Sequence, residues 1–163
     1  MKSKLFLAAT AALIATGAQA APKPAEIVER TGAPTAVIAS TVSVPAGYKT
    51  VYLSGATGSP MDPAKPESVG DTKAQTLSIL TKMKATLEGM GMTLGDVVKI
   101  NVFLVGDPAQ GGKMDAPAMN EVFKTFFGTT EQPNKPARST VQVAALGRPW
   151  TLVEIEGIAV KKP

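Results

Sequence analysis

The chain has 163 residues, and its 17 Lys and Arg against 13 Asp and Glu give a formal net charge of +4. It contains no His and no Cys, which excludes a Ser-His-Asp triad, a thiolate nucleophile, disulfides and any zinc site built on imidazole or thiolate. Acid–base chemistry would therefore fall to carboxylates, Lys, Tyr or an ordered water.

The first predicted element is a cleavable export signal at residues 1–20. Lys2 and Lys4 form a basic start, a short apolar run follows, and Ala18-Gln19-Ala20 has the form of a cleavage site. The apolar run is too short to span the roughly 30 Å hydrocarbon core of a bilayer. We therefore expect a periplasmic or secreted protein that begins at Ala21, carries a formal charge of +2 after losing two lysines, and has no membrane or lipid anchor.

The remaining residues are enough for one domain with its own core. We predict an extended, proline-containing arm over residues 21–36 and a single domain over residues 37–163. Val37-Ile38-Ala39 begins the first predicted strand. Thr50–Gly55 is the second, and it ends at a glycine that would let a ligand approach the backbone closely. Residues 56–70 contain several Gly and Pro turns and are predicted to be a loop.

Two amphipathic helices are predicted. The first runs from Thr72 to Met90, with Asp71 as its N-cap and Gly91 in the left-handed conformation after its last turn. Its expected apolar stripe is Leu77, Leu80, Met83, Leu87 and Met90. The second begins at Asp115 and Pro117 and is closed by Gly128. Its expected stripe is Met119, Val122, Phe123, Phe126 and Phe127.

Three further strands complete the pattern. Val97–Val105 is nearly continuous apolar sequence rich in β-branched residues, which predicts a central strand covered on both faces. Ser139–Ala144 and Thr151–Val160 follow, separated by a turn at Gly147-Arg148-Pro149. The order β-β-α-β-α-β-β predicts an α+β domain in which two helices cover one face of one sheet.

Two kinds of charged side chain are candidates for chemistry. Arg138 lies between a proline-constrained loop and a strand, where a guanidinium could bind a carboxylate through two parallel hydrogen bonds, or could form a surface salt bridge. Glu154 and Glu156 point to the same face of a strand. They line either a solvated edge or a cleft whose burial would raise a carboxyl pKa toward the range useful for proton transfer.

Five segments in chain order carry a resemblance to known proteins: Leu53–Gly55, Met92–Leu104, Met119–Phe127, Pro136–Ala144 and Val153–Val160. Together they resemble the reactive intermediate deaminase family, also called the YjgF-like or endoribonuclease L-PSP family. The resemblance implies a chorismate-mutase-like fold assembled as a homotrimer, with clefts between subunits and with no cofactor or metal. It also implies hydrolysis of enamines or imines of small carboxylates, such as 2-aminoacrylate, to 2-keto acids and ammonia.

The same resemblance assigns roles to residues. Arg138 matches the arginine that holds the substrate carboxylate, and Glu154 matches the glutamate that orients the attacking water. Positions expected to line the substrate site are Ser54, Gly55, Asn120 and Thr140. Thr140 replaces a frequent cysteine, and Ser40-Thr41-Val42 stands about where the family carries an active-site tyrosine.

Two other functions compete with deamination. A non-catalytic protein could bind small carboxylates in the same cleft, and a ribonuclease activity is sometimes attached to the family. The modest mature charge and the lack of a basic, aromatic track argue against nucleic acid as a partner.

Overall fold

The computed structural model describes residues 27–163, so the predicted export signal and the first part of the predicted arm lie outside the described residues. The described residues form six strands and two α-helices. In chain order they are β1 (Glu29–Thr31), β2 (Thr41–Ser43), β3 (Lys49–Thr57), α1 (Thr72–Gly89), β4 (Val97–Val105), α2 (Ala116–Phe123), β5 (Ala137–Val143) and β6 (Val153–Lys161). Within this part of the chain no helix has the length and hydrophobicity needed to cross a bilayer.

Strands β3 to β6 form one mixed sheet in the order β3-β6-β4-β5. Strands β4 and β5 are parallel because α2 carries the chain back between them, whereas β6 is antiparallel to both of its neighbours. Both helices contribute to one apolar core against the sheet. The predicted α+β fold, with two helices on one face of a sheet, is confirmed.

The N-terminal part of the domain differs from the prediction. Val37-Ile38-Ala39 is not a strand, because only Ala39 makes an isolated parallel bridge, to Ala137 at the edge of β5. The strand there is β2, which pairs with β1 as a separate antiparallel ribbon. Strand β1 lies within the predicted arm, so the order of elements gains one strand at its beginning.

Helix α1 has the predicted ends but a different buried side. The Asp71 carboxylate accepts a hydrogen bond of 2.8 Å from the Ala74 amide, and Gly91 has φ of +66°, as expected. Leu77 and Met90 of the predicted stripe are instead 51% and 44% exposed. The buried side of α1 includes polar side chains, namely Thr72, Gln75 and Thr76. The buried side of α1 therefore packs on the apolar sheet and also forms hydrogen bonds to backbone groups outside the helix.

Helix α2 begins as predicted and ends early. The Asp115 carboxylate accepts a hydrogen bond of 3.1 Å from the Ala118 amide, but the helix stops at Phe123. The amides of Phe126 and Phe127 both bond to the Phe123 carbonyl at 3.1 Å, so a compact turn replaces the last predicted turns. Phe127 still stacks on Phe123, with ring centroids 4.7 Å apart, which explains why the apolar spacing resembles a longer helix.

The prediction that β4 is covered on both faces is wrong within the single chain. Ile100, Val102 and Leu104 are buried beneath the helices, whereas Phe103 and Val105 point the other way and are half-buried. The sheet therefore has a helix face and an open face. The open face includes Tyr52, Asn101, Phe103, Val141, Glu154, Glu156 and Ile158. Two of these apolar side chains remain strongly exposed, Tyr52 at 78% and Val141 at 46%.

Candidate functional site

Arg138, near the start of β5, projects to the helix face and is held by three residues of α2. Its Nη2 donates to the Asn120 Oδ1 at 2.7 Å, and its Nη1 lies 3.7 Å from the Met119 sulfur. The guanidinium carbon stands 4.4 Å from the centre of the Phe123 ring, a cation–π distance. The guanidinium is thus held in place by an amide oxygen, a sulfur and a ring.

No anion in the described part of the chain balances Arg138. The ion pairs among these residues are Lys65–Asp62, Lys73–Glu121 and Lys84–Glu88, so a surface salt bridge at Arg138 has no partner within residues 27–163. Burial lowers the pKa of the Arg138 guanidinium from its ordinary value, although an arginine remains a cation in proteins. A half-buried cation with unused donors is a favourable place for a carboxylate, because a new charge-assisted hydrogen bond offsets the cost of burial.

Thr140 lies two residues after Arg138 and therefore on the same face of β5. Its hydroxyl oxygen is buried and has no hydrogen-bond partner among the described residues. Buried hydroxyls are normally paired, so an unpaired one beside a free cation is a second group that a ligand could satisfy. We call Met119, Asn120, Phe123, Arg138 and Thr140 the Arg138 half-site.

Glu154, the second residue of β6, lies on the open face against a bulge in β3. The pairing register of β3 and β6 shifts between Leu53 and Ala56, so that Ser54 and Gly55 form the bulge. A Cβ on Gly55 would lie 2.1 Å from the Glu154 Oε1. The glycine thus leaves room for the carboxylate directly over the backbone. Glu154, Ser54 and Gly55 make up the Glu154 half-site.

The second glutamate of β6 is engaged elsewhere. Glu156 shares the open face with Glu154, as predicted from their spacing, and accepts a hydrogen bond of 2.8 Å from the Asn101 amide. The Glu154 carboxylate has no hydrogen bond or ion pair among the described residues. Within residues 27–163, Glu154 is therefore the one of these two acids that is free to meet a ligand or a water.

The fold of one chain does not bring the two half-sites together. Arg138 pairs with Ile100, whose side chain is in the core, whereas Glu154 pairs with Phe103 on the open face. Strands β5 and β6 are separated by β4, which places them roughly 10 Å apart in the sheet at about 4.8 Å per strand. A small molecule bound to Arg138 therefore cannot reach Glu154 of the same chain.

Two features of these half-sites were not predicted. Met119 and Phe123 were assigned to the core alone, yet they also support the guanidinium. Their spacing with Asn120 along one helix was the available signal. The Ser54-Gly55 pair was predicted to end a strand, but β3 continues to Thr57 and the pair forms a bulge inside it. A glycine inside a strand pattern is a typical sign of a bulge.

Metal-binding chemistry finds no support in residues 27–163, where no group of three or more His, Cys, Asp or Glu side chains could hold an ion.

Comparison with known proteins places these features in context. The endoribonuclease L-PSP family model matches residues 33–161. A 2-iminobutanoate/2-iminopropanoate deaminase of Dermatophagoides farinae is 42% identical over 112 residues, which are 68% of this chain and 77% of that protein. A RutC family protein of Pyrococcus horikoshii is 41% identical over 104 residues, 63% of this chain and 74% of its own length. The crystal structure of Escherichia coli TdcF with bound serine is 34% identical with a TM-score of 0.55, covering 73% of this chain and 85% of that one.

Proposed function

Since this chain belongs to the endoribonuclease L-PSP family, the family of the reactive intermediate deaminases, we propose that it hydrolyses 2-imino acids and their enamine tautomers to 2-keto acids and ammonia. The observation that carries the proposal is Arg138, a half-buried guanidinium with donors to spare and no anion beside it among residues 27–163. Relatives named 2-iminobutanoate/2-iminopropanoate deaminase support imine deamination at the level of the family.

The chemistry follows from the two half-sites. The substrate carboxylate binds the Arg138 guanidinium, and the Thr140 hydroxyl donates to the same group. The imine carbon is then fixed beside a water that the Glu154 carboxylate orients and deprotonates as it adds. Glu154 passes this proton to the imine nitrogen, which gives a carbinolamine. The hydroxyl proton of the carbinolamine then moves through Glu154 to the nitrogen while the C–N bond breaks, so that ammonia leaves and the carbonyl of the 2-keto acid forms.

The site requires two copies of the chain. Because Arg138 and Glu154 lie on opposite faces of one sheet, one substrate can meet both only where two subunits contribute one half-site each. The exposed apolar side chains of the open face support assembly through that face. We propose a homotrimer with three clefts between subunits, the closed ring that repeated head-to-tail contacts of this kind produce.

The direct test is turnover of 2-aminoacrylate generated in situ, followed through both 2-keto acid and ammonia. We expect both products in equal amounts from the protein lacking residues 1–20. Thermal stabilisation by pyruvate without any ammonia release would instead support a non-catalytic carboxylate-binding protein. Salt-dependent RNA binding with no turnover of the imine would support the ribonuclease alternative.

The two-chain site has its own test, which is complementation between variants that each lose most of their turnover. Arg138→Ala and Glu154→Gln each remove one half-site from every cleft. Denaturing them together and refolding the mixture should restore about one quarter of wild-type turnover, because that share of clefts joins an intact Arg138 to an intact Glu154 in a randomly mixed ring. Variants refolded separately should show only their small residual turnover. If rings proven to contain both chains recover no turnover, the shared site is contradicted.

Export is a separate proposal supported by the sequence of residues 1–20. N-terminal sequencing of the protein recovered from expressing cells should begin at Ala21. A product that retains Met1 and stays with the cytoplasmic fraction would contradict it.

A further inference from the structure

Gln75 is a buried side chain in α1 whose hydrogen bonds all go to backbone outside its own helix. It is 0% exposed. Its Oε1 accepts from the amides of Leu152 at 2.9 Å and Val153 at 3.3 Å. Its Nε2 donates to the carbonyls of Gly70 at 2.9 Å and Trp150 at 3.1 Å. The two donors and the two lone pairs of the amide are thus all used.

These contacts lie next to the backbone of Glu154. Strand β6 begins at Val153, so the Gln75 oxygen holds the two amides immediately before Glu154. On the neighbouring strand, Thr57 pairs with Glu154, and Gly58 follows it. A Cβ on Gly58 would lie 2.9 Å from the Gln75 Cγ, so the chain leaving β3 rests directly on the same side chain.

We infer that Gln75 is a positioning residue for Glu154, an inference that rests on the proposed function. The Gln75 side-chain amide holds the backbone at the start of β6 and at the end of β3. It thereby fixes the position of the Glu154 backbone relative to the bulge at Gly55. Its carboxylate is thereby kept over Gly55, where the attacking water must be oriented. An apolar side chain of similar size would fill the space but leave Leu152, Val153 and the carbonyls opposite them without these partners.

The first measurement compares Gln75→Leu with Thr76→Val, a matched control. Thr76 is equally buried on the same helix, but its hydroxyl bonds only to the Thr72 carbonyl of α1. Well below the unfolding temperature, we expect kcat of Gln75→Leu to fall by about 10- to 100-fold, the effect of displacing a catalytic group by about 1 Å. The Kd for pyruvate, which reports the Arg138 half-site, should change less than about twofold. Thr76→Val should keep wild-type kcat.

The second measurement asks whether Gln75 acts through Glu154. In a Glu154→Gln background, Gln75→Leu should lower kcat no further, because the group that it positions is already gone. A full multiplicative loss in the double variant, or an equal loss of kcat and of pyruvate-binding sites in the single variant, would overturn the inference.

A conservative variant covers the case in which Gln75→Leu does not fold. A buried carboxyl takes up a proton, so Gln75→Glu keeps the acceptor and one donor. We expect its kcat to lie within about threefold of wild type. A loss of kcat of more than about tenfold in folded Gln75→Glu would overturn the positioning role. Absence of turnover in the wild type would remove the proposed function and this inference together, whereas wild-type kcat in Gln75→Leu would remove only this inference.

Discussion

Two half-buried arginines of this protein differ in what holds them. The Nη2 of Arg30 donates to the backbone carbonyls of Gly95 at 2.9 Å and Val97 at 3.4 Å, and its buried Nε has no partner among the described residues. Burial lowers the pKa of Arg30, while the charge of Asp96 raises it. For Arg138, burial lowers the pKa, and no acid in the described part of the chain offsets this effect. An arginine bound to backbone thus joins segments of the fold, whereas one left without an anion among the described residues is available to a ligand.

The two glutamates of β6 repeat this contrast. Glu156 is bonded to Asn101 within the sheet. Glu154 is unpaired in the described part of the chain and lies over a glycine that gives it room. Each pair of like charges therefore contains one structural member and one that is free for chemistry, and substitutions can test that division.

The largest effect is expected at Arg138. Arg138→Ala should lower kcat/KM by about 10³-fold, since the carboxylate loses both its charge partner and its orientation. The unfolding temperature should be unchanged or raised, because the substitution removes the desolvation cost of a half-buried guanidinium that lacks an anion among residues 27–163. Arg138→Lys should recover only part of the activity, since an ammonium cannot form the bidentate fork. Full activity in Arg138→Ala would contradict the site.

The next largest effect is expected at Gly55. A methyl group there would lie 2.1 Å from the Glu154 Oε1 and must push the carboxylate aside. We expect kcat of Gly55→Ala to fall about 10²-fold with pyruvate affinity preserved. Gly147→Ala is the matched control, because a Cβ at Gly147 meets no atom within 4 Å. Glu156→Gln should retain most of the activity, and equal losses in Gly55→Ala and Glu156→Gln would erase the distinction between the two acids.

At Arg30 the effect should appear in stability instead of catalysis. Arg30→Met keeps the apolar stem but removes both bonds to the backbone carbonyls. We expect the free energy of unfolding to fall by about 1–2 kcal/mol, with kcat per folded molecule unchanged. Denaturant titration and turnover on the same samples measure both quantities. A selective loss of kcat in Arg30→Met would break the comparison with Arg138.

The smallest effect is expected at Thr140. Thr140→Val keeps the shape and removes a buried hydroxyl that has no partner in residues 27–163. The free protein should be as stable as wild type or more stable by up to about 1 kcal/mol. Pyruvate affinity should fall by about three- to tenfold, because the bound carboxylate loses a donor. Thermal unfolding should show the unchanged or higher stability, and isothermal titration should show the lower affinity for pyruvate. A loss of stability with unchanged affinity would mean that Thr140 serves the fold and not the ligand.

Much of the local structure could be predicted because it depends on neighbours in the chain. Asp71 and Gly91 mark the ends of α1 through caps that involve residues only a few positions away. The β-branched run of β4 has the predicted bounds for the same reason. The wrong predictions concern segments whose conformation depends on contacts with distant parts of the chain. Val37-Ile38-Ala39 is an example, because its only bridge within the described residues is to a residue about a hundred positions later.

The sequence by itself determined the family, the α+β fold and the side chains that can carry chemistry, because matched segments in chain order and periodic patterning are properties of the chain. Only the tertiary structure decided which charges are free. Arg30 reaches a carbonyl 65 residues away and Arg138 an amide 18 residues away, so no local pattern distinguishes them. The strand order β3-β6-β4-β5 also decided that Arg138 and Glu154 face opposite sides of the sheet. The physical reason is that the face a side chain takes is set by its pairing register, and pairing joins strands that are far apart in sequence.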